Sequence, residues 1–473
     1  MLGMRDIRSC WLPLLLCGLS ACGSDSEGDV STRPLLPLRW TTCGELECAS
    51  VLVPVDYDRP DAGSIGIAIN RAAALTPERR GVVLVNPGGP GAPGKGFLAG
   101  SASALRGLLP GFDFIGFDPR GVGESAPLTC VANFDLLRLL RDGGVQAMLE
   151  ELRSTSRACA RVNGARFQNL GSNQVVADMD RIRQGLGVEE INFIGVSYGT
   201  RLGELYARTF PEHARAVVLD APVAPVADST EQALAQFDAF LQVHALFFAD
   251  CAAGVLSCPP DSEGIFEGIV ASQPTDGDRA QFLRNWQLLL SAPPGRVVLA
   301  QLLTQVASGQ VMAMPDMPVM ASVNALADIY GFANLSTTCA DNAVPSPTLE
   351  EAEALVASFR ERAPEFLSQV IPALVCSGWE VEPDPVPALD LTPRVPLLMI
   401  AGTADSLTPL HWAEETKALL PSTSLLLSEH YGHGAIINGS ACVFDHMRAY
   451  LNDLTPVPEG TTCAARPPAP TQP

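Results

Sequence analysis

Short apolar runs alternate with longer stretches of helical periodicity along most of this chain. Val51–Val55 and Ser64–Asn70 suit two strands, joined by a turn at Arg59-Pro60-Asp61-Ala62-Gly63. Val82–Val85, Phe112–Phe117, Ile191–Val196 and Ala216–Leu219 suit further strands. Between them, Val175, Val176, Met179, Ile182 and Leu186 recur at helical spacing, and Gly187 suits the stop of that helix. A second helix is expected from about Thr200 to Arg208. The alternation breaks after about Pro222. Residues 226–385 are mostly helical in pattern: Leu234, Phe237, Leu241 and Phe248 fall on one side of Glu231–Phe248, and Thr348 with Glu351 forms a capping box. Strand character resumes at Pro396–Ala401, followed by a helix over 411–420 and a strand at Ser424–Leu427.

Strands alternating with helices imply an α/β fold with a mostly parallel sheet covered on both faces. The run of helices implies a cap inserted into it. The expected organisation is an export signal over 1–21, a tether over 22–42, a first core segment over 43–225, a helical cap over 226–385, a second core segment over 386–463 and a disordered tail over 464–473.

The N-terminus changes the picture of where such a fold would work. Arg5 and Arg8 precede the apolar run Trp11–Leu19, which is too short to span a membrane. Leu19-Ser20-Ala21-Cys22 has the form of a bacterial lipobox, followed by a polar stretch. We expect lipidation at Cys22 and an envelope location on the outer membrane or periplasmic face, with secretion after ordinary signal cleavage as the alternative. Ten cysteines remain beyond Cys22, an even number, which points to disulfides in an exported chain. Short loops close readily, so sequential pairing is expected: Cys43–Cys48, Cys130–Cys159, Cys251–Cys258, Cys339–Cys376 and Cys442–Cys463. No CxxC or HExxH motif occurs, so no metal is expected. A formal net charge of −21 argues against a nucleic-acid partner.

The chemistry centres on Gly195-Val196-Ser197-Tyr198-Gly199, a G-x-S-x-G sequence between an apolar strand and a helix. A strand that turns this sharply into a helix leaves its serine strained and exposed, and larger residues two before or two after it would collide. Such a serine needs a base, and the base needs an orienting carboxylate, later in the chain in the order serine, acid, histidine. His433, between Gly432 and Gly434, is the preferred base, with His430 as the rival in the same expected loop. Asp405, in "AGTADSLTP", is the preferred acid, with Asp220 as its rival. The backbone N–H of Tyr198 and that of Gly89, or next Gly88, would form the oxyanion hole. Gly89–Lys95 also matches the start of a phosphate loop, but Gly96 stands where the magnesium-binding hydroxyl should be.

"NPGGPG", "DPRGVGES", "GVSYGTRLGELYA", "AGTADSLTP" and "YGHG" together resemble the prolyl aminopeptidase/tripeptidyl aminopeptidase branch of the α/β-hydrolases, especially its exported, cysteine-rich members. The resemblance covers about 43–225 and 376–463 and is faint over 226–338. It implies an α/β-hydrolase core with a helical cap, a Ser197–Asp405–His433 triad, no cofactor, and release of short units from peptide N-termini. Arg201 and Glu204 depart from the uncharged residues expected in the helix after the serine. An enzyme that measures from a free N-terminus needs a carboxylate for the ammonium group at a fixed distance from the nucleophile. Asp341 and Glu380, brought close by a Cys339–Cys376 bridge, are the candidates, with Asp228 and Glu231 competing. An esterase or amidase on small molecules, and a non-catalytic binding lipoprotein, are the alternatives.

Overall fold

In a computed structural model the described residues are 37–130, 136–291, 293–310, 331–387, 395–438 and 440–464. The expected signal, Cys22, most of the tether and nearly all of the tail lie outside them. Among the described residues there are ten strands: β1 (Thr41–Cys43), β2 (Leu46–Pro54), β3 (Ser64–Ala72), β4 (Gly81–Asn86), β5 (Phe112–Phe117), β6 (Ile191–Val196), β7 (Ala214–Asp220), β8 (Leu397–Ala404), β9 (Ser424–Tyr431) and β10 (Thr462–Cys463). They form one sheet in the order β1-β2-β3-β5-β4-β6-β7-β8-β9-β10. The pairs along β1-β2-β3-β5 are antiparallel, and every other pair is parallel.

The period-two alternation of a strand separates two apolar layers. Val82, Leu84, Phe193, Val217, Leu219, Leu397 and Met399 face one way, against the helices Ser172–Leu186 and Tyr198–Thr209. Val83, Val85, Ile194, Val218, Leu398 and Ile400 face the other, against Gly94–Leu108 and Ala441–Asp453. The central strands are therefore buried on both sides, which is why they read as continuous apolar runs. Gly187 ends its helix in the left-handed conformation, φ 71°, with its N–H on Arg183 and Gln184 carbonyls.

Every described element between β7 and β8 is a helix. Their core is aromatic: Phe237 stacks on Phe359 at 4.3 Å, Phe266 lies tilted against Trp286 at 4.5 Å and Phe240 edges Phe366 at 4.7 Å. The helical unit is larger than 226–385. The helices Leu136–Asp142 and Gly144–Asn163 give Leu137, Leu140, Met148, Leu149 and Leu152 to the same cluster, not to the sheet. The apolar stripe of an isolated helix must be buried somewhere, and here the nearest apolar surface is the cap.

All five sequential cysteine pairs are bridged. Five disulfides place the folded chain in an oxidising, exported setting. Among the described residues no helix is long and apolar enough to cross a membrane.

Candidate active site

Ser197 sits at the turn from β6 into the helix Tyr198–Thr209, with φ 58° and ψ −128°. A non-glycine residue in that region is strained, and the strain is held by its surroundings. Its N–H donates to the Asp220 carbonyl at 2.9 Å, and its carbonyl accepts from Thr200 N at 2.8 Å. The flanking glycines are required by contact. A Cβ at Gly195 would lie 2.2 Å from the Gly199 carbonyl oxygen, and one at Gly199 would lie 2.7 Å from that of Asn86.

Asp405 and His433 come together at the carboxyl ends of β8 and β9. His433 Nδ1 lies 2.8 Å from Asp405 Oδ2 and 3.1 Å from Oδ1. The carboxylate also accepts from Leu407 N at 2.8 Å, Thr408 N at 2.9 Å and Thr408 Oγ1 at 2.9 Å. Burial alone would raise the Asp405 pKa, but the histidine and these donors hold it below the ordinary carboxylate range. Burial pulls the His433 pKa down, and the Asp405 carboxylate more than reverses this, so it lies above the ordinary histidine range. The loop packs against the end of the strand that leads into the serine because Gly434 has φ 78° and no side chain: a Cβ there would stand 3.3 Å from Val196 Cγ1.

The rivals have other roles. Strand β9 runs to Tyr431, so His430 lies within a strand and not in the expected loop. It is buried, with Nδ1 on Ser428 Oγ at 2.9 Å, and burial lowers its pKa. Asp220 accepts from the amides of Ala435 and Ile436 at 2.8 and 2.7 Å. Its carbonyl holds Ser197 and its carboxylate holds the segment after His433, so it braces both loops. Burial pushes its pKa up to about 6. The sequence marked Asp220 as an acid at a strand end but carried no sign of this double contact.

Of the two loop glycines, Gly88 has its N–H on Asn86 Oδ1 at 2.9 Å. It cannot aim that N–H at a substrate, so Gly88 is corrected from donor to packing residue: a Cβ there would lie 2.4 Å from the Val196 carbonyl oxygen. Gly89 lines a cavity of about 420 Å³ together with Ser197, Tyr198, Arg201, Thr408 and Asp341. A larger cavity, about 800 Å³, lies inside the helical unit around His244, and Ser197 does not line it. Lys95 of the phosphate-loop match pairs with Glu124 at 2.7 Å.

Asp341 is buried in the wall of the Ser197 cavity. It accepts from Ser172 N at 2.7 Å and from Ser172 Oγ at 2.6 Å. With the Ser172 proton so used, the Tyr198 hydroxyl donates to Ser172 Oγ at 2.6 Å. Burial pushes the Asp341 pKa up to about 6 against these bonds. Glu380 does not join it. It lies at the surface, bound to Arg157 through two contacts of 2.7 and 2.8 Å. Trp379 is buried against Phe167 and Phe332, with its indole N–H on Ser336 Oγ. Cys339 and Cys376 are bridged, but Asp341 is held by Ser172 and the chain turns Glu380 outward to Arg157, so the expected pair does not form. Asp228 caps the helix Ser229–Ala252 by accepting from Thr230 N and Glu231 N, and Glu231 is exposed.

The two charged residues in the helix after the serine do not pair as i and i+3. Arg201 Nη2 donates to the Ala224 carbonyl at 3.0 Å, and Glu204 pairs with Arg208. Burial nevertheless pushes Glu204 up to about 7.

Residues 81–256 match the family described as "alpha/beta hydrolase fold", and residues 363–463 match that described as "TAP-like protein". The chain is 31% identical over 514 residues to "Carboxylesterase B" of Mycobacterium tuberculosis, covering 95% of this chain and 96% of that one. It is 28% identical over 480 residues to "Serine protease Hip1" of the same organism, covering 90% and 91%. "Tripeptidyl aminopeptidase" of Streptomyces lividans is 34% identical over 201 residues, 40% of this chain and 37% of that one. The chain belongs to the α/β-hydrolase family, in its tripeptidyl aminopeptidase-like branch, and is a serine hydrolase.

Proposed function

We propose that this protein is a serine exopeptidase that releases short units, from one to three residues, from free peptide N-termini through an acyl-enzyme. Ser197 Oγ attacks the scissile carbonyl while His433 Nε2 takes its proton, and Asp405 holds the imidazole through Nδ1. The developing oxyanion meets the N–H groups of Tyr198 and Gly89. His433 then protonates the leaving amine. Water, activated by the same imidazole, hydrolyses the ester.

The observation that carries the exopeptidase reading is Asp341, a buried carboxylate in the wall of the cavity that Ser197 lines. Its hydrogen bonds are both to neutral donors of one serine, and Arg201, in the same cavity wall, favours its ionised form, the form that an ammonium group needs. The protease and aminopeptidase names among the relatives support the same reading. The esterase reading keeps a specific support in the relative named a carboxylesterase, which aligns over nearly the whole chain. The lipobox at Cys22 supports a lipid-tethered enzyme at the cell envelope.

A panel of aminoacyl, dipeptidyl and tripeptidyl chromogenic amides, set beside simple acyl esters and a fluorophosphonate label, tests this. Turnover of one of the peptidyl amides at a rate well above any ester, with Ser197 labelled, is the expected result. Ester turnover alone would leave the carboxylesterase reading, and no labelling would remove catalysis altogether.

A further inference from the structure

The two loops that carry Asp405 and His433 leave the sheet edge on separate strands, yet both are held from the helical unit. Ser291 follows the helix Asp276–Leu290 and is buried. Its carbonyl accepts the backbone N–H of His433 at 2.7 Å. Its hydroxyl donates to the Gln287 carbonyl at 3.0 Å. That uses its one proton, so the 3.0 Å contact with Ser406 must have Ser406 Oγ as donor. Ser406 is the residue after Asp405. One cap residue thus holds the acid's neighbour through its side chain and the histidine itself through its backbone.

Two neighbouring contacts reinforce this. Gln236 Nε2 donates to the Leu407 carbonyl at 2.7 Å. The Arg296 guanidinium lies 3.7 Å from the centre of the Tyr431 ring while pairing with Asp250 on the helix Ser229–Ala252. Both loops are therefore gripped from several helices of the cap.

We propose that Ser291 is a positioning residue that sets the Asp405 and His433 loops relative to each other, so that docking of the helical unit is a condition for a competent acid–base pair. This rests on the triad reading given above and extends it. A cap that only shaped the substrate pocket would need no bond to either loop. With Ser291 in place, displacing the cap also withdraws the hydrogen bond to the His433 backbone.

The charged groups facing His433 are Asp405 from the β8 loop, Asp220 from the end of β7 and His430 from its own strand. If the Asp405 loop loosens, the carboxylate that raises the His433 pKa acts more weakly and burial prevails, so the pKa falls.

The test is Ser291→Ala beside Ser291→Thr, which keeps the hydroxyl, measured on a turned-over chromogenic amide across pH, with thermal melts of both. Ser291→Ala removes two neutral hydrogen bonds, of which the one from Ser406 reaches the Asp405 loop, and its loss lowers kcat by about 3- to 10-fold. KM should stay constant, the acid limb of kcat/KM should move to lower pH, and the threonine variant should recover both. A fall in rate that only follows the loss of folded protein, with the acid limb unmoved, overturns the proposal. Asp405→Asn in the same assay separates the two layers. If it retains wild-type turnover, the triad reading fails. If it is inactive while Ser291→Ala matches wild type in kcat and acid limb, the clamp alone fails.

Discussion

The sheet edge and the helical cap each hold a buried carboxylate near the Ser197 cavity, Asp405 behind its wall and Asp341 in it, and the two are treated in opposite ways. Asp405, at the sheet edge, is surrounded by two backbone donors, the Thr408 hydroxyl and His433, and its pKa is held below the ordinary range. Asp341, on the cap, has one serine's two donors, and burial pushes it up to about 6. Carboxylates whose environments push their pKa values apart have different tasks. The saturated one stays ionised and fixed, and orients a base. The under-compensated one carries a charge that a ligand cation can neutralise. On the proposed reading, the reaction is built on sheet-edge loops held by many bonds, and the amine of the substrate is met by a carboxylate of the helical unit above them.

The sharpest way to break this division is at the sheet edge. Ser197→Ala should lower turnover by at least about 10⁴-fold with the fold intact, as loss of a nucleophile leaves only binding and oxyanion terms. A melt and a progress curve on the same sample check it, and activity within tenfold of wild type would remove the assignment. Asp405→Asn should cost about 10³- to 10⁴-fold in kcat. Asp220→Asn, which touches the same loops without touching His433 Nδ1, should cost far less activity but about 1–3 kcal/mol of stability by chemical denaturation. Equal losses at the two acids would erase the distinction between them.

The pH response sharpens it further. With the His433 pKa raised, the imidazole is protonated and inactive as a base until pH exceeds that value, so kcat falls on the acid side. Asp341 must be ionised to hold an ammonium, so KM for free-amine substrates should rise as pH falls through about 6. In Asp341→Asn the KM limb should vanish and the kcat limb remain.

The bridges leave the chemistry alone and act on stability. Cys339–Cys376 closes a separation of 37 residues in the cap, and Cys43–Cys48 closes one of 5 at the sheet's margin. In the chain-entropy account, removing the first by serine substitution should cost ~2–4 kcal/mol and the second less. Denaturant midpoints compare them, and the opposite order would argue that the cap does not depend on its own bridge.

The same two regions differ in how far the sequence discloses them. β5 and β6 fall where their apolar runs predict, and the G-x-S-x-G spacing discloses Ser197 because the turn itself demands those glycines. His433 and Asp405 were findable because each follows an apolar strand and is flanked by small or polar loop residues. β1 and β10 are three and two residues long, too short for any periodicity to register. β9 outran its apolar run because its last residues alternate buried positions with exposed or half-exposed ones, which moved His430 from loop to strand. In the cap, helical periodicity marks the elements but not their neighbours. It could not say that 136–163 joins the cap core, that Glu380 turns to Arg157, or that the Ser291 carbonyl meets His433. A backbone acceptor leaves no trace in residue identity.

The most direct test of the division of labour compares tripeptidyl amides with a free amine against the same substrates N-acetylated, in wild type and in Asp341→Asn. The account predicts that wild type prefers the free amine. The substitution should lower kcat/KM on it by about 10- to 150-fold, the range of a charge-assisted contact, and leave the acetylated substrate nearly unchanged. Equal wild-type activity on both substrates, or an equal loss on both in the variant, would contradict it.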